Sequence, residues 1–213
     1  MEIITSNSYK GLPINTDESR GLGCISSVLD KYIDMLSYMI SAHSKVMQIR
    51  FDLHYPLDAN IVPDRRHIYY FRNNLIRMLD RQKGSGGHRA DPQLTWTEEQ
   101  GYGGHPHYHF VLLVNGNLFM NYIHLLQNFI LPVWQRVLNS NNAGIVDFCN
   151  KLGPNGMLID RNSQLLKQQI EACTFQASYI AKARSKENKL KGTWLTGGTR
   201  IPMVENLALF SLF

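Results

Sequence analysis

Residues 93–115 read QLTWTEEQGYGGHPHYHFVLLVN, and the fold turns on how this stretch is laid out. Two strands fit it, Gln93–Gln100 and His107–Val114, joined by Gly101–Pro106 and closed by an Asn115-Gly116 turn. Successive side chains in a strand point to opposite faces, so His107 and His109 share a face and Tyr108 points away. Their Cβ atoms then lie about 7 Å apart, close enough for two imidazoles to converge on one ion. In the first strand Leu94, Trp96 and Glu98 share one face while Thr95, Thr97 and Glu99 share the other. One glutamate of the Glu98-Glu99 pair can therefore point at the histidines from next door. Two nitrogens and one carboxylate leave positions open for water and a further oxygen, as a working metal site requires. The two histidines could equally be hydrogen-bonded core residues. His105, His107 and His109 could also form a zinc triplet, although Pro106 marks the strand start and takes His105 out of register.

Outward from this pair, the chain alternates helical and extended patterns. Ile25, Val28, Leu29, Ile33, Leu36 and Ile40 have helical spacing within residues 24–45, after a polar, glycine-containing leader expected to be loosely held. The strand VMQIRFDL, Val46–Leu53, sets Val46, Gln48, Arg50 and Asp52 against Met47, Ile49, Phe51 and Leu53, which predicts one wet face. Pro63-Asp64 opens a helix to about Arg81, with the aspartate as N-cap, and Gly84–Pro92 reads as a loop. A helix fits Leu118–Leu138, kinked or split by Pro132. Gly144–Cys149 and Met157–Asp160 read as a short hairpin, Gln164–Lys186 as a long helix, and Trp194–Pro202 as a last strand or turn. The order β-α-β-β-α-β-β-α predicts an α+β fold, a central antiparallel sheet with flanking helices. Residues 1–45 form an N-terminal arm and helix, and residues 46–213 the main domain, together one compact unit.

Composition excludes several classes. The chain of 213 residues is 44% hydrophobic, with no run of apolar residues long enough for a membrane-spanning helix. Its first residues lack the basic start and apolar run of a secretory signal. Cys24, Cys149 and Cys173 lie far apart without paired spacing, so neither a disulfide framework nor a zinc knuckle is expected. No G-x-x-x-x-G-K-[ST] segment occurs, which excludes a P-loop helicase. The formal net charge of +5 is concentrated in two sets. Arg65, Arg66, Arg72, Arg77, Arg81 and Lys83 form one; Lys182, Arg184, Lys186, Lys189 and Lys191 form the other. Each is either a solvated helix face or a set of phosphate contacts. Tyr69, Tyr70 and Phe71 lie in the first set and could stack on unpaired bases, with core packing expected for at least one of them.

The segment SYIAKARSKENK, beginning at Ser178, ends the last expected helix. At about 100° per residue, Leu166, Ile170, Cys173, Ala177 and Ile180 gather on one side, while Tyr179, Lys182 and Lys186 gather opposite. Tyr179 is thus off the apolar stripe with Lys182 at i+3. An adjacent ammonium favours phenolate over phenol and eases a nucleophile whose ordinary pKa is about 10. A bystander tyrosine on a solvated basic helix is the competing reading.

Taken together, the Val46–Leu53 strand, His107-Tyr108-His109 and Tyr179-Ile180-Ala181-Lys182 resemble, in this order, the three motifs of the His-hydrophobe-His (HUH) endonucleases. That superfamily comprises rolling-circle replication initiators, relaxases and single-tyrosine transposases. EEQ, HPHYHFVLLVNG, SYIAKARSK and GTWLTGGTR are similar, more narrowly, to the inovirus-type initiators of filamentous phages and prophages. The resemblance spans about residues 46–200. It implies His107, His109 and Glu99 (Glu98 as the fallback) as ligands of Mn2+ or Mg2+, Tyr179 as the nucleophile and Lys182 as its support. It also implies nicking and joining of single-stranded DNA at an origin or hairpin through a 5′-phosphotyrosine. Arg65, Arg66, Arg72, Lys186 and Lys189 would contact DNA, host helicase and polymerase would continue replication, and the setting would be the cytoplasm of a bacterial host cell. Some relatives carry a second tyrosine one turn later; in this chain Ala183 stands there, which favours a one-tyrosine mechanism. A relaxase or transposase of the same class, or a catalytically silent origin-binding protein, is the alternative.

Overall fold

A computed structural model describes residues 2–20, 22–56, 61–100, 105–148, 156–183 and 196–202. Short strands β1 (Ile3–Ile4), β2 (Ser8–Tyr9), β3 (Leu12–Pro13) and β4 (Cys24–Ile25) lead into helix α1 (Ser26–Ala42). Strand β5 (Lys45–Leu53) and helix α2 (Arg65–Asp80) follow, then strands β6 (Gln93–Gln100) and β7 (Pro106–Asn115). Helices α3 (Tyr122–Leu125) and α4 (Leu131–Leu138), strands β8 (Val146–Phe148) and β9 (Gly156–Asp160), helix α5 (Leu166–Ala177) and strand β10 (Thr196–Gly198) complete the described chain. The fold is α+β: β10, β6, β7 and β5 lie side by side in an antiparallel sheet, with β8 and β9 both along the outer edge of β5. Among the described residues, no helix is long and apolar enough to cross a membrane.

Strand parity divides the core in two. Met47, Ile49, Phe51 and Leu53 face α2 and the α3–α4 segment, where Ile68, Phe71, Leu75, Leu79, Ile130 and Trp134 meet them. Phe51 stacks on Phe110 with ring centroids 5.0 Å apart, and Phe71 meets both edge-on. Val46, Val111 and Leu113 face the other way, onto α1 and α5. The wet face expected for β5 is therefore corrected: Gln48, Arg50 and Asp52 are 0%, 4% and 8% exposed. Alternation shows that one face of a strand is polar, not that it is solvated. Gln48 is satisfied inside: Tyr32 donates to it at 2.7 Å, and it donates to the Cys173 carbonyl at 3.0 Å.

The leader is not loosely held. Leu12, Ile14, Cys24 and Ile25 are buried in the same cluster as α1 and α5, because that face of the sheet needs more apolar cover than two helices supply. Asp64 caps α2 as expected, accepting from the Arg66 amide at 2.8 Å. The helix expected from Leu118 begins only at Tyr122. The Asn115 carbonyl first accepts from the amides of Leu118 and Phe119, and the Asn121 side chain then caps the helix. At Pro132 the segment changes character as expected: a π-helical turn, Leu126–Ile130, separates α3 from α4, and the proline sits in the first turn of α4, where its ring and missing amide are tolerated.

Two further expectations are corrected. β8 and β9 do not form a hairpin. Each pairs antiparallel with β5, Phe148 opposite Phe51 and Gly156 opposite Ile49, as one edge strand interrupted at the level of Arg50. The last helix does not run to Lys186 either. It stops at Ala177, turns through a 3-10 segment, Ser178–Ala181, and becomes extended at Lys182.

Candidate functional site

The register of β6 against β7 places Thr97 opposite His109 and Glu99 opposite His107. Glu99, His107 and His109 consequently project from one face, and Glu98, opposite Tyr108, projects from the other. Glu99 Oε2 lies 3.0 Å from His109 Nε2 and 3.5 Å from His107 Nε2, and the two Nε2 atoms are 3.0 Å apart. Among the described residues this is the one grouping of histidine, cysteine and carboxylate donors fit for a metal ion. His105 does not join it; its ring lies edge-on to Tyr55, outside β7.

Neighbours unforeseen in the sequence hold the cluster. Asp52 lies opposite His109 on β5, and its Oδ1 is 2.7 Å from His109 Nδ1. Two acceptors at that distance need a proton between them, so Nδ1 carries it and Nε2 is directed to the shared point. The His54 ring stacks on His107 with centroids 5.3 Å apart. Burial, reinforced by the neighbouring His109, pushes His107 down to about 4. Burial alone would also lower His109, but hydrogen bonds to Asp52 and Glu99 outweigh it and raise the group. His107 thus presents a lone pair to the point that Glu99 and His109 share. The donor set (two imidazole nitrogens, one carboxylate, one imidazole oriented by a second carboxylate) fits a divalent ion.

Tyr179 reaches this cluster from the 3-10 turn after α5. Its ring meets His109 edge-on, centroids 5.5 Å apart. The Arg50 guanidinium lies 4.0 Å from the ring centroid and Lys182 Nζ lies 4.7 Å from it. Arg50 is itself 3.7 Å from Asp52, so one buried cation links the tyrosine to the carboxylate behind His109. Lys182 is near Tyr179, but not by helical i+3 spacing. The chain leaves the helix because carbonyls at its end are taken: Cys24 Sγ donates to Ser178 O, Lys182 N to Tyr179 O, and Thr97 Oγ1 to Ile180 O. Lys182 then pairs with Cys24, and the Ala183 amide donates to Gly23 O at 2.9 Å. As expected, Ile170, Cys173, Ala177 and Ile180 are the buried side and Tyr179 is off it.

The basic residues divide. Arg65 and Arg72 line a cavity on the α2 side of the sheet, away from the histidines. Arg66 is exposed and paired with Asp64 at the helix cap. Lys186 and Lys189 lie outside the described residues, as do Arg184, Lys191 and Cys149. Phe71 is core, while Tyr69 and Tyr70 are 58% and 55% exposed. Arg50, Asp52 and His54 were missed by sequence reading. The signal available was parity: in RFDLH, Arg50, Asp52 and His54 alternate onto one face, which the β5–β7 register turns toward the histidines.

A family model described as the YagK/YfjJ C-terminal domain matches residues 5–192, nearly the whole chain. No curated protein matches, and no solved structure matches.

Proposed function

The chain belongs to the YagK/YfjJ C-terminal domain family, and from its site we propose that it is a metal-dependent endonuclease of the His-hydrophobe-His class. In this reading the sheet and its helices form the sandwich typical of that class. The protein nicks single-stranded DNA at an origin or hairpin and joins itself to the 5′ side through Tyr179. It starts rolling-circle replication of a phage or mobile element in the bacterial cytoplasm, and host helicase and polymerase take the free 3′ end onward. The carrying observation is that the Tyr179 ring packs against His109, the same side chain that meets Glu99 and His107.

His107, His109 and Glu99 would hold Mn2+ or Mg2+, which when bound supplies Lewis-acid polarisation of the scissile phosphate. The chain's own groups do the rest. Tyr179 oxygen attacks phosphorus as the bond to the 3′ oxygen breaks; that oxygen leaves with its electron pair and takes up a proton. The phosphodiester energy is kept in the phosphotyrosine, so a 3′-hydroxyl can reverse the step without ATP. Arg50 and Lys182, both against the Tyr179 ring, favour negative charge on its oxygen and on the phosphate. Asp52 holds His109 in the ligating tautomer.

A denaturing gel tests this reading. Labelled single-stranded oligonucleotides tiling the element's origin are incubated with the protein in manganese or in EDTA. Label that stays with the protein, needs the metal and disappears in Tyr179→Phe is the expected result. Cleavage surviving that substitution would remove Tyr179 as nucleophile and point to metal-activated water. Tight binding without cleavage would leave an origin-binding protein.

A further inference from the structure

Outside the metal cluster, one cavity has the chemistry of a built site. It lies where α2 passes the edge strand β10, on the opposite face of β6 from Glu99, and its volume is about 330 Å3. That is near the lower end of small-molecule pockets, which run from about 300 to 1,000 Å3. Three cations line it: Lys31 from α1, and Arg65 and Arg72 from α2; Glu98 is its carboxylate. Lys31 is lowered by burial and then by the nearby Arg72, so two positive groups are held together in a half-dry place. Arg72 Nε is a buried donor with no hydrogen-bond partner among the described residues. An anion would satisfy both conditions.

Behind the cations the cavity floor is aromatic and largely buried, Trp96 being 8% exposed and Tyr108 1%. Trp96 and Tyr108 meet edge-on at 5.7 Å between centroids, and Gly197 lies so close to the indole that a Cβ there would sit 2.5 Å from the ring. The β10 backbone therefore packs directly on that ring. Tyr69, 58% exposed, stands at the rim.

We propose that this cavity binds a nucleotide, its phosphate among Lys31, Arg65 and Arg72 and its base on the exposed Tyr69 ring at the rim. The combination of clustered cations with an aromatic platform suits a phosphate joined to a planar base better than either an inorganic anion or an apolar ligand. Resting on the proposed nicking function, the nucleotide is a unit of the nicked strand, which would pass around the β10 edge to reach Tyr179 on the other face.

The test uses the full chain carrying Tyr179→Phe in EDTA, so neither nicking nor metal binding contributes. Anisotropy of a labelled single-stranded oligonucleotide is compared across three variants. Arg65→Ala with Arg72→Ala should weaken binding by about tenfold more than Arg77→Ala with Arg81→Ala, which removes equal charge from the same helix. Tyr69→Ala, a change at an exposed position that leaves the fold intact, should weaken it by about fivefold or more. Equal losses in the two arginine pairs, with Tyr69→Ala unaffected, would overturn the assignment. Competition by deoxynucleoside triphosphate would identify free nucleotide as the occupant; failure to compete would identify the strand. If the parent protein binds no single-stranded DNA, the nicking reading fails, and the cavity is judged by tryptophan quenching with deoxynucleoside monophosphates. Saturable quenching lost in Tyr69→Ala supports the cavity, and no quenching sinks it.

Discussion

Replacing Asp52 by asparagine isolates the part of the candidate metal cluster that no single motif contains. The carboxylate faces His109 Nδ1 at 2.7 Å and is 8% exposed, so water cannot readily substitute for it. Asparagine keeps the shape and offers an oxygen, but it removes the charge that fixes the imidazole and offsets Arg50, 3.7 Å away. Partners of ligating histidines are commonly worth 10–100-fold in metal affinity, about 1.4–2.8 kcal/mol. The structure argues for the upper half of that range, since the same substitution leaves Arg50 without its carboxylate beside an incoming cation. Calorimetric titration with Mn2+, at a pH where His107 is neutral, measures the change directly. Circular dichroism would confirm that the sheet is intact. Unchanged affinity in a folded Asp52→Asn protein would mean that Asp52 does not orient His109, and that the cluster is a hydrogen-bonded knot rather than a preformed metal site.

Two further outcomes follow from packing and charge elsewhere. Phe71→Ala empties a site among Phe51, Phe110 and Trp134, all fully buried, and should cost about 3–5 kcal/mol in denaturant unfolding; a loss below about 1 kcal/mol would contradict this aromatic core. Asp91 should set an acid limit to stability. Burial alone would raise its carboxyl, but hydrogen bonds from His43, Tyr38 and Gln93 outweigh burial and lower it. A depressed carboxyl contributes stability above its unfolded pKa of about 4, and the contribution fades as pH falls through the lower folded value. Asp91→Asn should thus be less stable at neutral pH and show a shallower acid limb than the parent; parallel curves would refute the assignment.

Local pattern made much of this molecule legible. The alternation of Thr97, Glu99, His107 and His109 gave the cluster its face, and the choice of Glu99 over Glu98 agrees with the register. Asp64 announced the start of α2, and of Tyr69, Tyr70 and Phe71 it is Phe71 that packs in the core, as expected of at least one. What escaped depends on partners distant in sequence. Gln48, Arg50 and Asp52 look solvated until α1 and α5 cover them. Helical periodicity continued past Ala177, but it could not reveal that Cys24, Gly23 and Thr97 would claim the backbone beyond it. Nor could β-propensity show that β8 and β9 both pair with β5 and not with each other.

The turn that carries Tyr179 also bears on when the proposed nickase could become dangerous to a host cell. The Asn15 amide donates to Ser178 Oγ across 163 residues of chain, and Cys24 reaches the Ser178 carbonyl across 154. Contacts of such separation carry the largest loop-closure cost and form only after the intervening structure is in place. Asp52, Glu99, His107 and His109 lie on adjoining strands and can gather much earlier, before the tyrosine has been synthesised. A nascent or truncated chain would thus carry the candidate metal cluster without Tyr179, and as the proposed nickase it could not attach itself to DNA. For that nickase, attachment would become possible only once the segments around Asn15 and Ser178 have met, so completion of folding would itself act as the safety catch.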